Sequence, residues 1–122
     1  MSLRTSTNVR QDVAVIKLDG DITLGEASGQ LRDIVRQALA EGHKSILLDL
    51  GGVAYIDSAG LGELVGCHAY ASDQGAALKL LHLQKKVQGL MQITKLTTVF
   101  ETFEDEAAAV RSFQRSSTAP PP

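Results

Sequence analysis

Short apolar runs of strand length alternate with stretches of helical apolar spacing along almost the whole chain. No other feature restricts the fold so tightly. Residues 45–50, SILLDL, are nearly continuous in apolar side chains and bounded by loops, the pattern of a strand buried on both faces. Before them, Val13, Val15, Ile16 and Leu18 suit a strand, and Gln11-Asp12 suits a turn folding an earlier strand back onto it. After them, ALKLLHL at 77–83 predicts another strand. From Ala27, the positions Leu31, Ile34, Val35, Ala38 and Leu39 recur at helical spacing, and Gly42 lies just past Glu41, where a C-terminal cap belongs. A second helix is predicted over 58–72, ending near Asp73-Gln74-Gly75. A third is predicted over 85–94, with Val87, Leu90 and Met91 as its stripe. Residues 97–100, TTVF, read as a short β piece. EDEAAAVRSFQR then reads as a last helix with acids first and arginines last, as the helix dipole favours. The expectation is an α/β fold: an N-terminal strand followed by four βα units, building a mixed, mostly parallel β-sheet. One domain should occupy 3–115, with SSTAPPP at 116–122 as a disordered Ser/Pro tail.

Composition removes several classes of function. The 122 residues suffice for one core and are too few for two domains. A formal charge of −2 with no dense Lys/Arg cluster gives no reason to expect nucleic acid, and the sparse aromatics make no base-stacking platform. No apolar run approaches the length of a membrane span, so no direct membrane insertion is expected, and the N-terminus lacks a signal-peptide core. A cytoplasmic location is the expectation. Cys67 stands alone in an apolar helical pattern and reads as a small buried residue.

Residues 55–64, YIDSAGLGEL, set one serine where strand passes into helix, and three roles compete for it. As a cap, Asp57 or Ser58 can accept hydrogen bonds from the first free amides of the helix. That role leaves the glycines unexplained. Gly60, Gly62 and Gly66 within a helix cost roughly 1 kcal/mol each relative to alanine, so close backbone approach to the sheet or to a partner must compensate. As a nucleophile, Ser58 would need a Gly-x-Ser-x-Gly elbow, but Ile56 holds the earlier glycine position. It would also need a base, and none of His43, His68 and His82 is placed to serve. No His/Cys pair has metal-ligand spacing, and Glu63 after Gly62 breaks a Walker pattern. As a phosphate acceptor, Ser58 would place a charge of about −1.5 to −2 at a helix N-terminus, where the dipole tolerates it. With Asp57 beside it and Asp21 near, that surface would become strongly acidic. An apolar, glycine-rich patch around Leu61 and Leu64 could then dock a partner when neutral and refuse it when charged. Tyr55 reads as packing, Lys85-Lys86 as a solvated face and Met91 as core.

The segment YIDSAGLGELVG closely resembles the phosphorylation-site segment of the STAS-domain anti-sigma factor antagonists, the bacterial anti-anti-sigma factors. LDGDIT before the first helix, ILLDL in the central strand and ITKLTTVFETFEDEAAAV near the end match in order, so the resemblance runs from about Val13 to Phe113. It implies a STAS domain over 3–115 and a partner-switching cycle. In that cycle the unmodified protein binds an anti-sigma factor, often a GHKL-type serine kinase, and so frees a sigma factor. The kinase phosphorylates the serine matching Ser58, and a PP2C-type phosphatase reverses the modification. ATP belongs to the kinase, so the resemblance implies no cofactor, no catalytic residue and no metal for this chain. The implied partner-binding set is Asp21, Thr23, Asp57, Ser58, Ala59, Gly60, Leu61, Gly62 and Leu64. Thr23 stands where relatives often carry an acid or amide, and Lys95 where glycine is frequent. A second reading is the same fold as a non-switching STAS scaffold subunit of a stress-sensing or transporter complex; a small serine hydrolase or nucleotide-binding enzyme is the third.

Overall fold

The computed structural model of the chain describes residues 2–117. Gln11 and Asp12 both take positive φ, 50° and 68°. This is the two-residue hairpin geometry whose twist matches that of flanking strands. It joins β1, Arg4–Arg10, to β2, Val13–Asp19, antiparallel and with Arg10 opposite Val13. From β2 onward, β3 (Ser45–Gly52), β4 (Ala77–Leu81) and β5 (Thr102–Phe103) add in parallel, giving the order β1-β2-β3-β4-β5. The crossovers carry α1 (Glu26–Ala40), α2 (Ser58–Asp73) and α3 (Lys85–Ile93). Strands added in one direction through right-handed crossovers put all three helices on one face. The last helix, α4 (Glu106–Ser117), follows β5 and folds onto the other face. This is the mixed, mostly parallel α/β sheet with four βα units that the alternation predicts.

Two apolar layers hold the sheet between its helices. Leu31 and Val35 of α1, Leu64 and Cys67 of α2, and Val87 and Met91 of α3 cover Ile16, Leu18, Ile46, Leu48 and Leu80. On the reverse, Ala109, Val110 and Phe113 of α4 cover Val13, Val15, Leu47 and Leu81. Ile46 and Leu48 therefore face one layer and Leu47 the other, which is why SILLDL shows no polar alternation.

Helices α1 and α2 end alike. The amides of Gly42 and His43 return to the carbonyls of Leu39 and Ala38, and those of Gly75 and Ala76 to Ser72 and Ala71. Both are Schellman closures around a glycine of positive φ. Helix α3 closes on Lys95 instead, at φ 62°, with its amide bonded to the carbonyl of Gln92.

Three boundaries differ from the sequence reading. β4 stops at Leu81 because His82 turns left-handed, φ 61°. Residues 97–100 make no strand: Leu96–Thr98 form a single 3-10 turn, and β5 comes later, at Thr102–Phe103. Phe100 draws that segment inward, being buried in the main layer and edge-on to His68 with ring centroids 5.1 Å apart. Helix α4 runs through Ser117, so it enters the stretch 116–122 read as tail, of which 118–122 lie outside the described residues. Among the described residues no helix is long and apolar enough to cross a membrane.

Candidate functional site

After β3 the chain reaches α2 through residues 53–57, which pair with the loop leaving β2. Ile22 and Ile56 form a parallel bridge, and both are buried. The Ile22 amide donates to the Tyr55 carbonyl at 3.0 Å, and the Asp57 amide donates to the Ile22 carbonyl at 3.2 Å. The same Ile22 carbonyl presses on Gly60, where any Cβ would collide with it. Glycine is thus required here by close backbone approach within the chain itself.

The three roles proposed for the serine separate at this junction. Asp57 is the N-cap of α2: its Oδ1 accepts from the Gly60 amide at 2.8 Å and its Oδ2 from the Leu24 amide at 3.0 Å. These backbone donors, Gly60 foremost, hold the Asp57 carboxyl below its ordinary pKa. One carboxylate thereby caps the helix and ties down the β2–α1 loop. Ser58 is the first residue of α2; its side chain is exposed and its hydroxyl has no hydrogen-bond partner among the described residues. Capping is done by the aspartate, which leaves the serine oxygen free.

Around that oxygen lies an apolar surface. Leu24 is 78% exposed, Tyr55 48% and Ile93 81%. Between the start of α2 and the length of α3 runs a groove of about 440 Å³ lined by Tyr55, Ser58, Leu61, Val87, Leu90 and Ile93, with Lys85 and Lys86 also in its wall.

Most of the residues predicted for the site gather here. Asp21 is exposed and Thr23 half-buried in the loop held by Asp57; Ala59 is half-buried and Gly62 exposed with open space where a Cβ would stand. Leu61 lines the groove while only 8% exposed. Gly60 is buried, and Leu64 is 0% exposed in the main apolar layer. Leu64 therefore supports the junction from beneath, while Leu61 joins Tyr55, Val87, Leu90 and Ile93 in the apolar wall of the groove and Leu24 stands exposed in the loop that Asp57 holds. Tyr55, read from sequence as packing, is exposed. Leu24 and Ile93 carry one signal each in the sequence: an isolated leucine in a polar loop, and an isoleucine off the buried stripe of its helix.

No histidine serves Ser58. His43 lies in the α1–β3 loop at the other end of the sheet, His68 packs against Phe100, and His82 Nδ1 bonds Asp49 Oδ1 at 3.0 Å. Burial pushes the Cys67 thiol up to about 12, so it is not a nucleophile. No group of three His, Cys, Asp or Glu among the described residues could hold a metal ion.

Comparison with known proteins identifies the family, and a sulfate transporter family protein from Wolinella succinogenes shares the fold as well, with a TM-score of 0.70 at 17% identity, covering 86% of this chain and 87% of that one. The model of the STAS domain matches residues 4–109. The anti-sigma-B factor antagonist of Bacillus subtilis is 31% identical over 98 residues, covering 77% of this chain and 90% of that one. Among solved structures, an anti-sigma factor antagonist from Mycobacterium paratuberculosis superposes with a TM-score of 0.80 at 18% identity, covering 91% of this chain and 93% of the other. The Bacillus cell-fate determinant SpoIIAA in its phosphorylated form gives 0.67 at 19% identity, covering 92% and 99%. At such identities these last two likenesses speak for the fold.

Proposed function

This chain belongs to the STAS domain family, among the anti-sigma factor antagonists, and from that membership we propose that it binds an anti-sigma factor and is switched off by phosphorylation of Ser58. The observation that carries the reading is the division of labour at the start of α2. Asp57 supplies the cap, so Ser58 is exposed, unbonded and expendable to the fold. A kinase partner of the GHKL type would pass the γ-phosphoryl group of ATP to Ser58 Oγ: the P–Oγ bond forms as the bond to the bridging β-phosphate oxygen breaks, ADP leaves, and a base of the kinase takes the hydroxyl proton. The product charge of about −1.5 to −2 then lies at the positive end of the helix dipole. Helix α2 keeps its cap, so the change falls on recognition.

The proposed docking face comprises Asp21, Thr23, Leu24, Tyr55, Asp57, Ser58, Ala59, Leu61, Gly62 and Ile93. Gly60 and Leu64 hold it from within. A partner resting on such an apolar surface loses affinity when a dianion must be desolvated at its centre. A PP2C-type phosphatase restores the neutral surface. The Bacillus relative, named as an antagonist of the anti-sigma-B factor, supports an anti-sigma factor as the partner.

The test is incubation with the host's anti-sigma kinase and ATP, followed by intact-mass measurement and a binding titration. The expected result is one added phosphate in the native protein and none in Ser58→Ala, which still binds. Ser58→Glu should bind about tenfold or more weakly, a change on the order of 1.4 kcal/mol. Phosphate retained in Ser58→Ala would move the switch to another residue.

A further inference from the structure

We propose that a phosphate on Ser58 is received by Lys85 and Lys86 across the groove between α2 and α3, so that modification closes this groove as well as charging it. The inference rests on the reading of Ser58 as the modified residue and concerns what the new group meets. Strands β3 and β4 are adjacent and parallel, so α2 and α3 set out from the same end of the sheet. Ser58 and Lys85 are the first residues of those helices, and Ser58, Lys85 and Lys86 line one groove.

Both lysines are exposed, and neither has an ion pair or hydrogen bond among the described residues. Their position is electrostatically unfavourable as it stands. They open a helix with no acid in its first turn, where the backbone dipole is already positive. The N-cap does not relieve this, because the Gln84 amide donates to the Gly51 carbonyl at 2.8 Å and gives no side-chain cap.

The other titratable groups in the groove wall are Asp57 and Tyr55. Asp57 is turned to the Gly60 and Leu24 amides, so it does not occupy the lysines. The remaining lining is mainly apolar, which screens a phosphate–ammonium pair less than open water does. Bridging α2 to α3 in this way would deny a partner the groove and both cations together. A carboxylate at position 58 has less charge and fewer acceptor oxygens, so it would reproduce the bridge only in part.

The experiment is a phosphorus NMR titration of the full chain carrying genetically encoded phosphoserine at position 58, which needs no kinase. Three forms are compared: native, K85Q/K86Q, and K17Q, whose lysine is exposed on β2 away from the groove. A nearby cation favours the dianion, so the native midpoint should lie below the usual value near 6. In K85Q/K86Q it should rise by roughly 0.3–0.7 pH unit, and in K17Q it should stay in place. Equal midpoints in the native and K85Q/K86Q forms would overturn the proposal, as would an equal displacement in K17Q. A kinase that ignores Ser58 would refute the switch while leaving this titration to stand or fall alone.

Discussion

Asp57 and Ser58 are neighbours with interchangeable capping chemistry, and their roles separate only because Asp57 Oδ1 reaches the Gly60 amide while Oδ2 reaches Leu24. That pairing gives a pH-dependent prediction. The Asp57 carboxyl is depressed below its ordinary 3.8, so its contribution to folding is complete above the unfolded value and drains away as pH falls through the folded one. Thermal melts should place Asp57→Ala below the native protein at neutral pH, with the gap narrowing below about pH 4. A gap that stays constant down to pH 3 would show that the charge is immaterial. The sequence made the Asp-Ser-Ala-Gly core visible but not the direction of each side chain. Leu61 and Leu64 looked like one surface; Leu64 shares the inward row of Cys67 and Ala71, and its burial follows from that spacing. Tyr55 went the other way because the loop before α2 has no periodicity to read.

Three helices close on a left-handed residue, but only α1 and α2 have glycine for it. Lys95 bears the cost of a Cβ in that conformation. Lys95→Gly should therefore raise stability by roughly 0.5–1 kcal/mol, measured by urea unfolding, with the fold unchanged. Elements long enough to show a period were legible: α1, α2, β2 and β3 fall within a residue or two of their expected limits. The misplaced element is β5. It pairs through only Leu80–Thr102 and Leu81–Phe103, and two residues are too few to display alternation. The β-branched run just before it, TTV, is a better strand by propensity, but the burial of Phe100 overrides that preference.

At the scale of the molecule, the sheet is a shared wall between a thick layer of three helices and a thin one made by α4 alone. The thin layer is pinned by an unusual residue. Lys79 interrupts the apolar run of β4 and is 4% exposed; its Nζ donates to Ser112 Oγ at 3.0 Å, lies 4.6 Å from the Phe113 ring centroid and 3.5 Å from Glu101 Oε2. Lys79→Ala should cost about 2 kcal/mol in chemical denaturation by leaving a void beside Phe113 and removing the hydrogen bond to Ser112. Lys79→Met, which keeps the volume, should cost less than about 1 kcal/mol. The alternation predicted the α/β class and the mostly parallel sheet. It could not tell that a lysine inside a strand run would turn toward a helix rather than toward water.

The rim formed by β1 has a consequence for behaviour at high concentration. All seven of its residues are exposed, and its sequence, RTSTNVR, has one apolar side chain between an arginine tied to Asp19 and another tied to Glu106. An incoming strand that sought to extend the sheet there would meet fixed cations at both ends and no greasy stripe to zip against. Fibril growth is thus discouraged at the very border where a backbone ladder is left unfinished.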